Sequence, residues 1–142
     1  MPDRAAVRES RTTTRVRYPE TDRMGVAHHT HHFTWFELGR TELMREMGCP
    51  YGELEDTRGV LFPVIEAGAR FVAPARYDEE LTITTRLVEV TGVTVRFEYD
   101  VARAETHEAV SRGFTVHASV KPDGRPTRLP ADLRARLARG GR

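Results

Sequence analysis

The chain has 142 residues, 22 basic and 21 acidic side chains and a net charge of +1; 39% of it is hydrophobic and 30% charged. That length suits one domain with a real core, and that composition argues against a membrane-embedded or a disordered chain. A single cysteine, Cys49, excludes an internal disulfide framework and fits a reducing, cytoplasmic setting.

Residues 1–10 read as a flexible arm that lacks the apolar stretch of a signal peptide, and 11–142 as a single domain. Arg11–Tyr18 alternates and is rich in β-branched residues, which predicts a strand ended by Pro19. Glu20–His29 has loop character around Gly25. A helix is expected from about Thr30 to Met47. Phe33, Phe36, Leu43, Met44 and Met47 mark its apolar side, with Glu37, Arg40, Glu42 and Arg45 opposite, and Gly48 and Pro50 stop it. Tyr51–Thr57 reads as a short helical turn.

Four strand candidates follow: Val60–Val72, Leu81–Thr91, Val93–Arg103 and Ala109–Val120. Thr91-Gly92 signals a tight hairpin, and Pro122-Asp123-Gly124 a turn. Pro130–Leu137 closes the chain with a short helix. The longest apolar run, 60–65, is far below the roughly 20 residues of a membrane helix. One strand, one long helix and four antiparallel strands have a simple packing solution. A curved five-stranded antiparallel sheet wraps the long central helix and buries its apolar face. This α+β arrangement is the hotdog fold, here with a short C-terminal helix.

The stretch from Arg17 to Glu37 carries the chemistry. Tyr18, Thr21-Asp22, Gly25-Val26 and His29 follow the order aromatic, Thr-Asp, Gly-Val, His, and Phe36-Glu37, Arg40 and Thr41-Glu42 continue it. In these residues the chain resembles the hotdog acyl-CoA thioesterases of the 4-hydroxybenzoyl-CoA thioesterase type, especially the YbgC-like branch. Phe71–Leu81 and Leu129-Pro130 extend the resemblance, which covers about residues 12–138.

The resemblance implies a homodimer, with a homotetramer expected, and active sites at the subunit boundary. It implies an acyl-CoA substrate with a small, medium or aryl acyl group, and no cofactor or metal. Asp22 is then the catalytic carboxylate, activating water or attacking the thioester itself. The N-terminus of the helix offers unpaired N–H groups to the thioester oxygen, with the His29 N–H as the leading donor. The His29 ring is a second candidate, able to orient water. Tyr18, Thr21, Gly25 and Val26 support this loop, and His28, His32 and Phe33 are acyl-pocket candidates. Relatives often carry aromatics where His28 and His32 stand, so a more polar pocket is expected.

Arg76, Arg125 and Arg128 are candidates for the phosphates of coenzyme A, the last two in a segment, 121–142, that carries a net +5. Val60–Val72 is the expected dimer-edge strand. Three competing readings remain open. On a helix, His28 and His32 would share a face at a spacing that can bind a transition metal. A hotdog dimer could bind acyl-CoA without cleaving it, a role that needs no Asp22 carboxylate. The fold also hosts carrier-protein thioesterases and dehydratases. No Gly-x-Ser-x-Gly elbow or Walker loop is present. The basic residues are not interleaved with aromatics, which speaks against nucleic acid.

Overall fold

A computed structural model describes residues 8–140. β1 (Glu9–Arg15) starts two residues before the sequence alternation suggests. Ser10 is drawn inward, 5% exposed, and its hydroxyl donates to Glu46 Oε1 at 3.0 Å. Of the expected arm, residues 1–7 lie outside the described residues, while Glu9 and Ser10 belong to the sheet.

Helix α1 (Thr30–Glu46) follows, then the short turn α2 (Tyr51–Glu53), which widens into a π-type turn at Leu54–Arg58. The remaining elements are β2 (Val64–Phe71), β3 (Glu80–Val90), β4 (Thr94–Arg103), β5 (Ala109–Ala118) and α3 (Ala131–Ala138). α1 stops as Gly48 predicts. Gly48 takes φ +76°, its N–H donates to Arg45 O at 3.0 Å, and the Cys49 N–H reaches back to Met44 O at 2.9 Å. Those two bonds satisfy carbonyls that the helix end would otherwise leave bare.

The five strands form one antiparallel sheet in the order β1-β3-β4-β5-β2. β2 therefore lies beside β5 on the far edge, and the 72–79 connection returns the chain to β3. β2 is also shorter than the apolar run around it. Leu61 pairs separately with Val120, and a bulge interrupts the register between Val64 and Glu66.

α1 packs on one face of this sheet. Trp35, Phe36, Leu43 and Met44 meet Leu81, Ile83, Leu87, Val95, Phe97, Tyr99 and Val101, all 3% exposed or less. α3 closes one end with Leu133 and Leu137, each contributing about 2 kcal/mol by burial. No helix among the described residues is long and apolar enough to cross a membrane.

Two glycines set the distance between helix and sheet. A Cβ at Gly39 would stand 2.2 Å from Thr85 Oγ1, so only glycine lets α1 lie this close to β3. At Gly113 a Cβ would meet the Phe36 ring at 2.4 Å and Gly68 O at 2.6 Å, while Phe36 stacks on Tyr99 with centroids 4.5 Å apart. Gly113→Ala is expected to cost about 1–3 kcal/mol through overpacking. A denaturant midpoint checks this, with Gly52→Ala as control, because nothing lies within 4 Å of a Cβ there.

Candidate active site

Asp22 begins a tight hairpin between β1 and α1. The Gly25 N–H donates to Asp22 O at 3.0 Å, the Asp22 N–H to Val26 O at 2.9 Å, and Thr21 pairs with Ala27. Gly25 takes φ +74°, the left-handed residue that this three-residue hairpin needs. The hairpin is closed at its base by the His28 N–H on Glu20 O at 2.9 Å. Glu20 is itself locked: only 2% exposed, its carboxylate accepts the Arg17 N–H at 2.7 Å and the Arg17 guanidinium at 3.3 Å. Asp22 and His29 thus leave one rigid junction, each a residue or two beyond it.

The Asp22 carboxylate is exposed and uses its two oxygens differently. Oδ1 accepts the Met24 N–H at 2.7 Å and the Val26 N–H at 3.3 Å. Oδ2 accepts nothing among the described residues. The carboxylate borders an open cleft of about 800 Å³, together with Tyr18, Thr21, Arg23, Gly25 and Tyr77. Tyr18 and Tyr77 stand edge to face there, centroids 5.8 Å apart. Val26 pairs with Arg76, which brings that arginine to the hairpin.

His29 caps α1 in helical conformation without a side-chain cap. Its N–H meets no acceptor among the described residues, and the next N–H, of Thr30, meets only the His28 ring at 3.4 Å. The helix mouth is therefore open to an anionic oxygen. The exposed His29 ring packs near the rings of His28, 4.2 Å away, and Phe71, 5.8 Å away. No hydrogen bond joins it to Asp22.

His28 precedes the helix, so it shares no helical face with His32, contrary to the metal-binding spacing. It is exposed and bonds Thr30 Oγ1 at 2.8 Å. His32 is 4% exposed, bonded to Ser111 Oγ at 2.8 Å and packed between Trp35 and Phe71. Burial, reinforced by the charges of His29 and His31, lowers its pKa to about 4, so it is neutral near pH 7. Phe33 packs edge-on against Phe36 at the core margin. Among the described residues, no three His, Cys, Asp or Glu side chains converge as a metal site would require. Cys49 is buried, and burial raises its thiol pKa.

The basic candidates separate. Arg125 pairs with Asp123 at 2.8 Å in an exposed turn, and Arg128 lies at the β3–β4 tip. Both are at the end of the sheet opposite the Asp22 hairpin of the same chain. At that tip, Arg128 and Arg134 each place Nη1 within 3.4 Å of the point a Gly92 Cβ would occupy. Neither has a carboxylate within salt-bridge distance among the described residues. Phe71 and Tyr77 lie in the segment that extends the family resemblance and Arg134 in the basic segment 121–142, but none was singled out as a site residue, because each reaches its place only through the pairing of distant segments.

A curved sheet around one helix, with an acid-bearing hairpin leading into that helix, is the architecture of a hotdog domain. A family model, the thioesterase-like superfamily, matches residues 16–137, and the chain belongs to that superfamily. It is 34% identical over 86 residues to YneP of Bacillus subtilis, across 61% of this chain and 62% of that one, so it spans under two thirds of that relative. It is 33% identical over 91 residues to the acyl-CoA thioester hydrolase YbgC of Escherichia coli, across 64% and 67%. The DHNA-CoA thioesterase of Staphylococcus aureus shares its fold with a TM-score of 0.86 at 27% identity, over 92% of this chain and 89% of that one.

Proposed function

We propose that this protein hydrolyses acyl-CoA thioesters to a free acid and coenzyme A. The observation that carries this reading is that one short segment holds both an exposed carboxylate whose Oδ2 is uncommitted and, seven residues on, the mouth of α1, where the His29 N–H meets no acceptor among the described residues. The thioester oxygen accepts the His29 N–H, and the helix dipole stabilises the charge that builds there. One such donor supplies about 3–4 kcal/mol. Asp22 Oδ2 either takes the proton of an attacking water or attacks the carbonyl carbon itself. In both routes the C–S bond breaks and the thiolate leaves; in the second, water then opens the acyl anhydride.

Phosphates of the substrate meet Arg76 near the hairpin; Arg125, Arg128 and Arg134, at the opposite end of their own sheet, serve the same substrate only from the partner subunit. The chain works as a homodimer, with pairs assembling into a homotetramer, in the cytoplasm. β2 supports this assembly: it is an edge strand with Val64, Ile65 and Phe71 all at least 46% exposed, a surface that soluble proteins cover. Two-fold pairing of one strand with its copy must be antiparallel. It sets the Pro63 end of one subunit beside Phe71 and His29 of the other.

The test is free-thiol release from short-chain, medium-chain and aryl CoA thioesters. Turnover of at least one is the expected result; tight binding without turnover would instead make the protein a binding module, and activity confined to carrier-protein thioesters a carrier-protein enzyme. Val64→Pro is expected to give inactive monomer by light scattering and the same assay, and an active dimer would refute the β2 pairing.

A further inference from the structure

Arg103, at the end of β4, is only 17% exposed in its side chain and makes three contacts at once. Its guanidinium pairs with Glu79, donates to Pro74 O at 2.7 Å and pairs with Glu108 at 3.3 Å. The other oxygen of Glu79 accepts the Arg76 N–H at 2.6 Å. One ion pair therefore grips the Pro74–Arg76 segment at both of its ends.

The middle of that segment holds the candidate site. Ala75, fully buried, gives its carbonyl to the Ala27 N–H at 2.8 Å. Arg76 pairs with Val26, and the Tyr77 N–H reaches Gly25 O at 3.3 Å. Ala27 lies two residues before His29, and Gly25 three after Asp22. The segment's downstream end is anchored as well. Asp78 takes φ +67°, with its N–H on Val16 O and its carbonyl on the Arg15 guanidinium, both at 2.8 Å. A hydrogen-bonded path thus runs from β4 through the β2–β3 connection to the residues flanking both the carboxylate and the helix mouth.

We infer that Glu79 and Arg103 are positioning residues for thioester hydrolysis: they set where the Asp22 hairpin stands relative to the His29 N–H. The inference rests on the roles proposed above for Asp22 and His29. Neither Glu79 nor Arg103 touches substrate; they act through Pro74–Arg76. Misplacement of a reacting group by about 1 Å is enough to cost on the order of 100-fold in rate. The fork of Arg103 matters more than its charge, because a lysine cannot reach two carboxylates and a carbonyl in one plane.

Two variants test this, each with kinetics and amide hydrogen exchange on the full chain. Glu79→Gln keeps an acceptor for the Arg76 N–H but removes the charge that holds Arg103. Arg103→Lys keeps the charge but not the fork. Both are expected to lower kcat at least 10-fold, to leave KM within about twofold, and to speed exchange at Ala27 while β3 and β4 amides stay protected. Wild-type kcat in both variants overturns the proposal. So does a fall in kcat with unchanged exchange at Ala27, or a global loss of protection in both variants, which would make the pair a brace for the whole fold. Asp22→Asn, measured in parallel, separates the two ideas. If it retains activity, the catalytic assignment fails, while the exchange data still show whether the pair holds the hairpin.

Discussion

Asp22→Asn is expected to reduce kcat for acyl-CoA hydrolysis by about 10²- to 10⁴-fold, the range supplied by a positioned acid–base group. Asparagine is the informative replacement because Asp22 has two separable jobs. Its Oδ1 accepts the Met24 and Val26 N–H groups and shapes the hairpin, and an amide oxygen accepts them equally well. Its Oδ2, uncommitted among the described residues, becomes an NH₂ that can neither take a proton nor attack a carbonyl. The variant should therefore melt within a few degrees of the parent and bind acyl-CoA. Asp22→Ala, which also removes the turn acceptor, should lose activity and loosen the hairpin. Normal turnover in the asparagine variant would reduce Asp22 to a turn residue and remove the carboxylate from the mechanism.

Stability is expected to fall steeply as the pH drops from about 6.5 to 4. His32 and His117 are both buried, and burial lowers the pKa of each to about 4. His117 is held in one tautomer. Phe62 O can only accept, so Nδ1 carries the proton across 2.9 Å, and Nε2 accepts from Thr115, which in turn accepts from Tyr99 at 2.6 Å. An unfolded chain takes up these protons near pH 6.5, the native chain only near 4. Between those values the unfolded state binds more protons, so the contribution is complete above 6.5 and lost as the pH falls. Each histidine accounts for roughly 3 kcal/mol at 1.36 kcal/mol per pKa unit. Together they are comparable to the whole stability of a small domain. Urea midpoints at pH 7.5 and 4.5 measure the effect, and His117→Gln should flatten the pH dependence by about half. A midpoint that does not move with pH would show that these imidazoles are not held neutral.

Much of this protein is legible along the chain because the signals are local. α1 ends at Gly48 through the N–H groups of Gly48 and Cys49, which reach three and five positions back, and Gly25 turns the Asp22 hairpin within four residues. Alternation located β3, β4 and β5 to within two residues at either end, since each has one face on the core. β1 and β2 are less well marked. β1 begins early because Ser10 bonds Glu46, a partner 36 residues away. β2 is exposed on both faces and so carries no burial pattern to read.

Element order, the wrapped helix and the Gly25 turn that carries Asp22 can be read along the chain, because hydrophobic period and turn chemistry act over a few residues. Long-range packing, in contrast, puts β2 on the far edge beside β5, His32 in the core against Ser111, and Arg103 and Glu79 on the Pro74–Arg76 segment that bonds Ala27. Those outcomes depend on which distant segments share a surface once the sheet has curled. A side chain's neighbours 50 or 80 residues away leave no mark in its own stretch of chain.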